Sequence, residues 1–185
     1  MNGGLIAGRY AKAFYTFTQK EKASEAVYAQ VRILLGAMDS VPRLREVLQD
    51  ERSAPADERI ALMRQAVAGQ QLCPQIADFY RLLDSRSRTE NFQLALLDYT
   101  DLYCAEHSIL PVKLTVAREN PALVALVERN VKKDFGMQAL VDCKVDPEII
   151  GGFVVRSREQ RLDLSAKASL ERIRKQLTID SKRSV

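Results

Sequence analysis

Apolar side chains return every three or four residues through the whole first half of the chain. This spacing limits the possible folds more than any other feature. Tyr10, Ala13, Phe14 and Phe17 make the first stripe, and Val27, Val31, Leu34, Leu35 and Met38 the second. Leu44 and Leu48 follow, then Ile60, Met63 and Val67, then Ile76, Phe79, Tyr80 and Leu83. The last stripe is Phe92, Ala95, Leu96, Tyr99, Leu102 and Tyr103. Each fits one face of an α-helix and none alternates as a strand does. The breaks carry helix punctuation. Ser40 and Pro42 suit a helix start, and Ser53, Pro55 and Asp57 supply a cap, an early proline and a first-turn acid. The segment from Gly69 to Pro74 reads as a stop and restart, and Ser87 with Glu90 as a capping box. Five or six short helices joined by short loops predict a bundle.

The period changes after His107. Residues 109–117 alternate and are rich in β-branched side chains, so they read as a strand. Asn120-Pro121 opens a helix with Leu123, Val124, Val127, Val131 and Phe135 on one face, closed by Gly136. Strands are expected over 138–145, 149–155 and 161–164, with a polar hairpin turn from Ser157 to Gln160. A last helix is expected from Ser165, with Ala166, Leu170, Ile173 and Leu177 on one face. The fold class is therefore α+β overall. An all-α bundle over 1–108 precedes a small α+β domain over 109–185, with three to four short strands and two helices. Charge divides at the same place. Residues 1–108 hold 13 Lys and Arg against 14 Asp and Glu, and residues 109–185 hold 15 against 10. The basic second half suits an acidic partner, an anionic surface or nucleic acid. No like-charge run and no interleaved aromatics favour nucleic acid, which stays as the alternative reading.

The residue inventory argues against catalysis. His107 is the only histidine, so no multi-histidine metal site forms within one copy. The three cysteines, at 73, 104 and 143, contain no Cys-x-x-Cys pair. Cys104 and His107 read as a core thiol and a helix-end imidazole, and Asp98 and Asp101 as a solvated face. No phosphate-cradling glycine motif occurs. Gly151-Gly152 lies in a strand-like pattern, where glycine marks a bulge or a close backbone approach. No catalytic, metal or cofactor-binding residue is expected. No apolar run is long enough to span a membrane, and the first residues resemble neither a signal nor a transit peptide.

Several segments together resemble one family. Ile6-Ala-Gly-Arg9-Tyr10-Ala11-Lys-Ala13-Phe14 resembles the opening of the delta subunit of F-type ATP synthases, whose mitochondrial counterpart is the oligomycin-sensitivity-conferring protein. The run from Val145 to Val155, with Asp146, Pro147, Gly151 and Gly152, resembles that family's Val-Asp-Pro-x-Leu/Ile-Ile-Gly-Gly segment. Asp163 and Ser165 resemble its Asp-x-Ser hairpin exit, although Leu164 stands where the family often has Gly. The resemblance implies a non-catalytic subunit of the peripheral stalk, or stator, which holds the catalytic head still while the rotor turns. It implies that the bundle receives N-terminal helices of alpha subunits on its first and fifth helices, through Arg9, Tyr10, Ala11 and Phe14. The fifth helix is expected over 75–84. It implies that the second domain meets the C-terminal end of the b subunit. It further implies a monomer, one copy per complex, bound at the cytoplasmic face of a bacterial inner membrane through the complex, with no cofactor, nucleic acid or small-molecule substrate.

Overall fold

The computed structural model describes residues 3–67, 71–157 and 160–171. Six α-helices come first: α1 (Gly3–Lys20), α2 (Ser24–Ser40), α3 (Pro42–Gln49), α4 (Ala56–Ala66), α5 (Pro74–Ser85) and α6 (Phe92–Glu106). Then come β1 (Ile109–Val116), α7 (Pro121–Phe135), β2 (Gln138–Val145), β3 (Phe153–Ser157) and β4 (Gln160–Asp163). Residues 166–171 are helical. Ile173, Leu177 and the two central residues of the hairpin turn lie outside the described residues. The chain forms two compact units that divide between Tyr103 and Cys104, inside α6.

The helical unit is built around aromatic rings. Phe14 of α1 stacks on Phe79 of α5 with centroids 4.2 Å apart, and lies 4.8 Å from Tyr99 of α6. Tyr80 meets Phe92 edge-on at 4.8 Å. Tyr28 of α2 stacks on Tyr103 of α6 at 4.0 Å. Such pairs add about 0.5–1.5 kcal/mol each beyond the area they bury. Buried polar groups are paired across elements. Gln30 donates to the Gln71 carbonyl and accepts from the Cys73 amide, which ties α2 to the entry of α5. The Tyr99 hydroxyl reaches both Thr18 and the Ser24 carbonyl, which fixes the α1–α2 turn.

The end of α3 shows where local reading fails. The last carbonyls of a helix have no partner within it. Here the Tyr80 hydroxyl donates to Leu48 at 2.7 Å and the Thr89 hydroxyl to Gln49 at 3.0 Å, while Ser53 serves Val47. Thr89 is buried in a short 3-10 turn, Thr89–Asn91, and Ser87 has φ of 52°. The expected Ser87–Glu90 capping box does not form. Its segment serves α3 instead of opening α6.

In the second unit β1 pairs parallel with β2 and antiparallel with β3, and the sheet order is β2-β1-β3-β4. Helix α7 is the crossover that a parallel pair requires. Asn120 caps it by accepting from the Leu123 amide, and Gly136 ends it at φ 66°. Val127 and Val131 pack on Val112, Leu114 and Val116. Phe135, expected on that face, is exposed at the last residue of the helix, and Val127 and Val131 make the buried contacts instead. The third strand was expected from Ile149, but Pro147–Ile149 is a 3-10 turn and β3 begins at Phe153.

Candidate functional site: the α1 flanks and the Asp146–Ser165 constellation

Helix α1 buries Ala7, Ala11, Phe14, Tyr15 and Thr18, which share one face at helical spacing. Of the four residues expected to bind a partner, Ala11 and Phe14 lie in this buried face. Tyr10 is half-buried and Arg9 is exposed. A neighbouring stripe is apolar and open: Ile6 and Tyr10 are half-buried, Ala13 is exposed and Phe17 is 41% exposed. The Phe14–Phe79 stack sets α5 beside α1 on this side. On α5, Leu82 is 46% exposed, three residues from Phe79. The two flanks therefore combine apolar groups that the unit's own core leaves uncovered.

Behind α5 lies a group that the sequence analysis missed. Arg59 of α4 is only 1% exposed. Its guanidinium pairs with Asp84 and donates to the Tyr80 hydroxyl at 2.8 Å, and its Nε is buried without a hydrogen-bond partner among the described residues. Burial pushes the Tyr80 hydroxyl up to about 12, against the opposing pull of Arg59. The signal in the sequence was positional: Arg59 stands four residues before Met63, on the apolar stripe of α4.

The remaining expected site residues meet at one place in the second unit. Asp146 accepts from the Glu148 amide at 3.0 Å and opens the turn, with Pro147 in its first position. Ile150 follows with φ 68° and ψ −42°, and the Gly151 amide bonds the Ile149 carbonyl at 2.8 Å. This is a γ-turn of the strained kind, centred on a β-branched residue. Gly151 then accepts from the Ala166 amide, and the Leu164 amide donates to Phe153. Gly152, at φ 73°, lies so close to the returning chain that a Cβ there would sit 2.2 Å from the Leu164 carbonyl oxygen. The close approach expected of the glycine pair is present, in the turn before β3 instead of within a strand.

Asp163 locks the same corner. It accepts from the Ser165 hydroxyl at 2.7 Å, the Ser165 amide at 3.1 Å and Arg161 at 2.7 Å, and Ser165 in turn caps the following turn through Ala168. These bonds, the Ser165 hydroxyl foremost, hold the Asp163 carboxyl down at about 2. The charged form is the bonded form. Its stabilisation is therefore complete above the ordinary carboxylate pKa of about 3.9 and is lost as pH falls through the folded value. An NMR titration is expected to place the Asp163 midpoint near 2, and Ser165→Ala is expected to return it toward the ordinary range. A wild-type midpoint near the ordinary value of about 4 would show that the contacts do not hold in solution.

The other candidates for chemistry stand apart. Cys104 is buried near the end of α6, which stops at Glu106, and His107 is exposed in the turn beyond it. Among the described residues no group of three or more metal-ligating side chains comes together. Asp98, expected on a solvated face, is half-buried. Burial first, and Asp101 second, raise its carboxyl above the ordinary range.

A ring-packed helical bundle with open apolar flanks, followed by a sheet unit locked at one corner by a glycine approach, defines a two-unit α+β protein. A family model described as ATP synthase delta (OSCP) subunit matches residues 6–177. The ATP synthase subunit delta of Phocaeicola vulgatus is 28% identical, covering 98% of both chains. ATP synthase subunit delta 1 of Syntrophotalea carbinolica is also 28% identical, over 94% of this chain and 97% of its own. A chain of the Toxoplasma gondii mitochondrial ATP synthase hexamer shares the fold, with a TM-score of 0.64 at 19% identity, covering 94% of this chain and 97% of that one. The chain belongs to the ATP synthase delta (OSCP) subunit family.

Proposed function

We propose that the α1–α5 flank of the helical unit receives an N-terminal helix of an alpha subunit. As a family member, the chain is a structural, peripheral-stalk subunit of an F-type ATP synthase, and the nucleic-acid alternative is left without support. Among the described residues no helix is long and apolar enough to cross a membrane. Our reading of its position is the cytoplasmic face of a bacterial inner membrane, as one non-catalytic copy per complex.

The observation that carries the reading is the partly open stripe of Ile6, Tyr10, Ala13 and Phe17 on α1, the helix that the Phe14–Phe79 stack joins to α5, where Leu82 is also exposed. A helix in a groove needs apolar anchors at this spacing. Tyr10 and Phe17 are the anchors, Ala13 permits close approach, and Arg9 lies at the rim. Ala11 and Phe14 act from beneath, by setting α1 against α5. For the second unit we propose the b-subunit contact. On the sheet face away from α7, Asp142, Lys113, Arg156 and Arg161 stand in one row across β2, β1, β3 and β4. Asp142 stands opposite Lys113 and Asp163 pairs with Arg161, so Arg156, exposed between them, is the cation that an acidic stalk end would meet.

Calorimetric titration of the full chain with a peptide of the cognate alpha-subunit N-terminal helix tests the first contact. Binding is expected to change little with salt. It is expected to weaken at least tenfold in a Phe17→Ala, Leu82→Ala variant, whose side chains are already part-exposed, so the fold survives. Equal affinity in that variant, or absence of binding by the wild type, overturns the reading.

A further inference from the structure

Strand β2 is an edge of its sheet, with β1 as its only neighbour among the described residues. The Gln138 amide donates to the Ser108 carbonyl and the Asp146 amide to the Val116 carbonyl, at the two ends of the ladder. Backbone groups alternate in direction along a strand. The even-numbered residues of β2 therefore turn their N–H and C=O toward β1, and Ala139, Val141, Cys143 and Val145 turn theirs outward. The second half of this edge is open: residues 142–145 are all exposed, Val145 by 42%. Asp142 and Lys144 share one sheet face there, two residues apart and opposite in sign. Native edges commonly carry charge to turn a second strand away. This pair of charges disfavours most incoming strands and registers, with one exception.

The exception is β2 itself. In an antiparallel copy centred on Cys143, Asp142 of each chain faces Lys144 of the other, Val141 faces Val145, and Cys143 faces its own copy. Val141, Cys143 and Val145 are then in phase to exchange backbone hydrogen bonds. The ladder closes where Pro147, which has no N–H, meets Ala139. A register centred one residue earlier sets Asp142 against Asp142. One residue later, Lys144 meets Lys144 and Asp142 meets Asp146. We propose that the free chain pairs through β2 with a second copy of itself, as a two-fold antiparallel dimer centred on Cys143. The backbone supplies the attraction, and the charges select the register. The contact is one strand wide, small beside the roughly 1,200 Å² at which stable complexes begin. The dimer is therefore a concentration-dependent state of the chain outside the complex, and it separates when a single copy assembles. It requires neither of the subunit contacts proposed above.

The test uses the full chain under reducing conditions, so that no disulfide joins the copies. Sedimentation equilibrium is expected to show a mass that rises from monomer toward dimer with concentration. Over the same range, amide hydrogen exchange is expected to slow at Val141, Cys143 and Val145. It is expected to stay unchanged at Asp142 and Lys144, whose amides already face β1. Asp142→Lys and Lys144→Asp, each alone, are expected to weaken self-association roughly tenfold or more. An equal mixture of these two variants restores opposite charges across the edge, as does one chain carrying both substitutions, and each is expected to dimerise as wild type does. Both positions are exposed, and a circular dichroism spectrum like that of wild type checks that the fold is kept. A mass that stays monomeric at about 1 mM chain overturns the proposal. So does equal dimerisation of the single variants, failure of both the mixture and the doubly substituted chain to dimerise, or exchange that slows elsewhere and not on β2.

Discussion

Arg59→Met is expected to lower the stability of the helical unit by about 3 kcal/mol, at the lower end of the range for a broken buried ion pair. The mechanism has three components. Asp84 loses its only ion-pair partner among the described residues, although its partial exposure lets water replace some of the interaction. The Tyr80 hydroxyl loses a donor at 2.8 Å while still serving the Leu48 carbonyl. Packing over the Tyr80 ring, where the guanidinium carbon lies 5.3 Å from the centroid, is replaced by a thioether. Urea unfolding followed by helical circular dichroism is expected to show a lower midpoint. Hydrogen exchange is expected to speed in α4 and α5 and to leave β1 and β2 unchanged. Arg59→Met combined with Asp84→Leu is expected to recover much of the loss, because an apolar pair removes the stranded charge. A stability within about 0.5 kcal/mol of wild type for the single variant, the usual size of a neutral surface change, would show the pair to be dispensable.

Gly152→Ala is expected to disorder the corner that joins β2, β3 and β4. A left-handed backbone costs a non-glycine residue about 1–3 kcal/mol on its own. Here the added carbon also falls 2.2 Å from the Leu164 carbonyl oxygen, and both sides of that clash are backbone. No side chain can swing away. The relief open to the chain is to separate the 151–153 and 164–166 segments, which breaks the bonds from Ala166 to Gly151 and from Leu164 to Phe153. Amide exchange is expected to rise throughout β3 and β4. Gly136→Ala is the control. It shares the positive φ but meets nothing within 4 Å, so only the backbone cost of about 1 kcal/mol applies. Equal effects of the two substitutions would show that the close approach contributes nothing.

What could be read in the sequence was what neighbours in sequence decide. Helix α7 lies between its own signals, Asn120 and Gly136, and β2 spans the expected residues 138–145. Six helices leading into a unit with four strands agree with the α+β expectation. What could not be read depends on distant partners. Ile149 and Ile150 look like strand residues, and they turn because Gly152 must pass under Leu164. Thr89 looks like part of a helix start, and it bonds α3 across 40 positions. The candidate binding face was legible only in part. The Arg9–Phe14 motif pointed to α1, where the proposed face lies, but its spacing could not separate Phe14, which stacks inward on Phe79, from Phe17, which stays open.

The placement of β1 bears on a protein whose task is to resist torque. Helix α6 is followed almost at once in the chain by this strand. In its sheet β1 lies between β2 and β3, with its parallel ladder closed at one end by the Gln138 to Ser108 bond and at the other by Asp146 to Val116. A pull on Ser108 along the strand therefore loads both flanking ladders in shear, with many hydrogen bonds sharing the force at once. Had β1 been an edge strand pulled crosswise, the same bonds would break in succession, like a zipper. The strand that follows α6 is an inner member of the sheet, so a load carried along it is shared between two ladders and not concentrated on one.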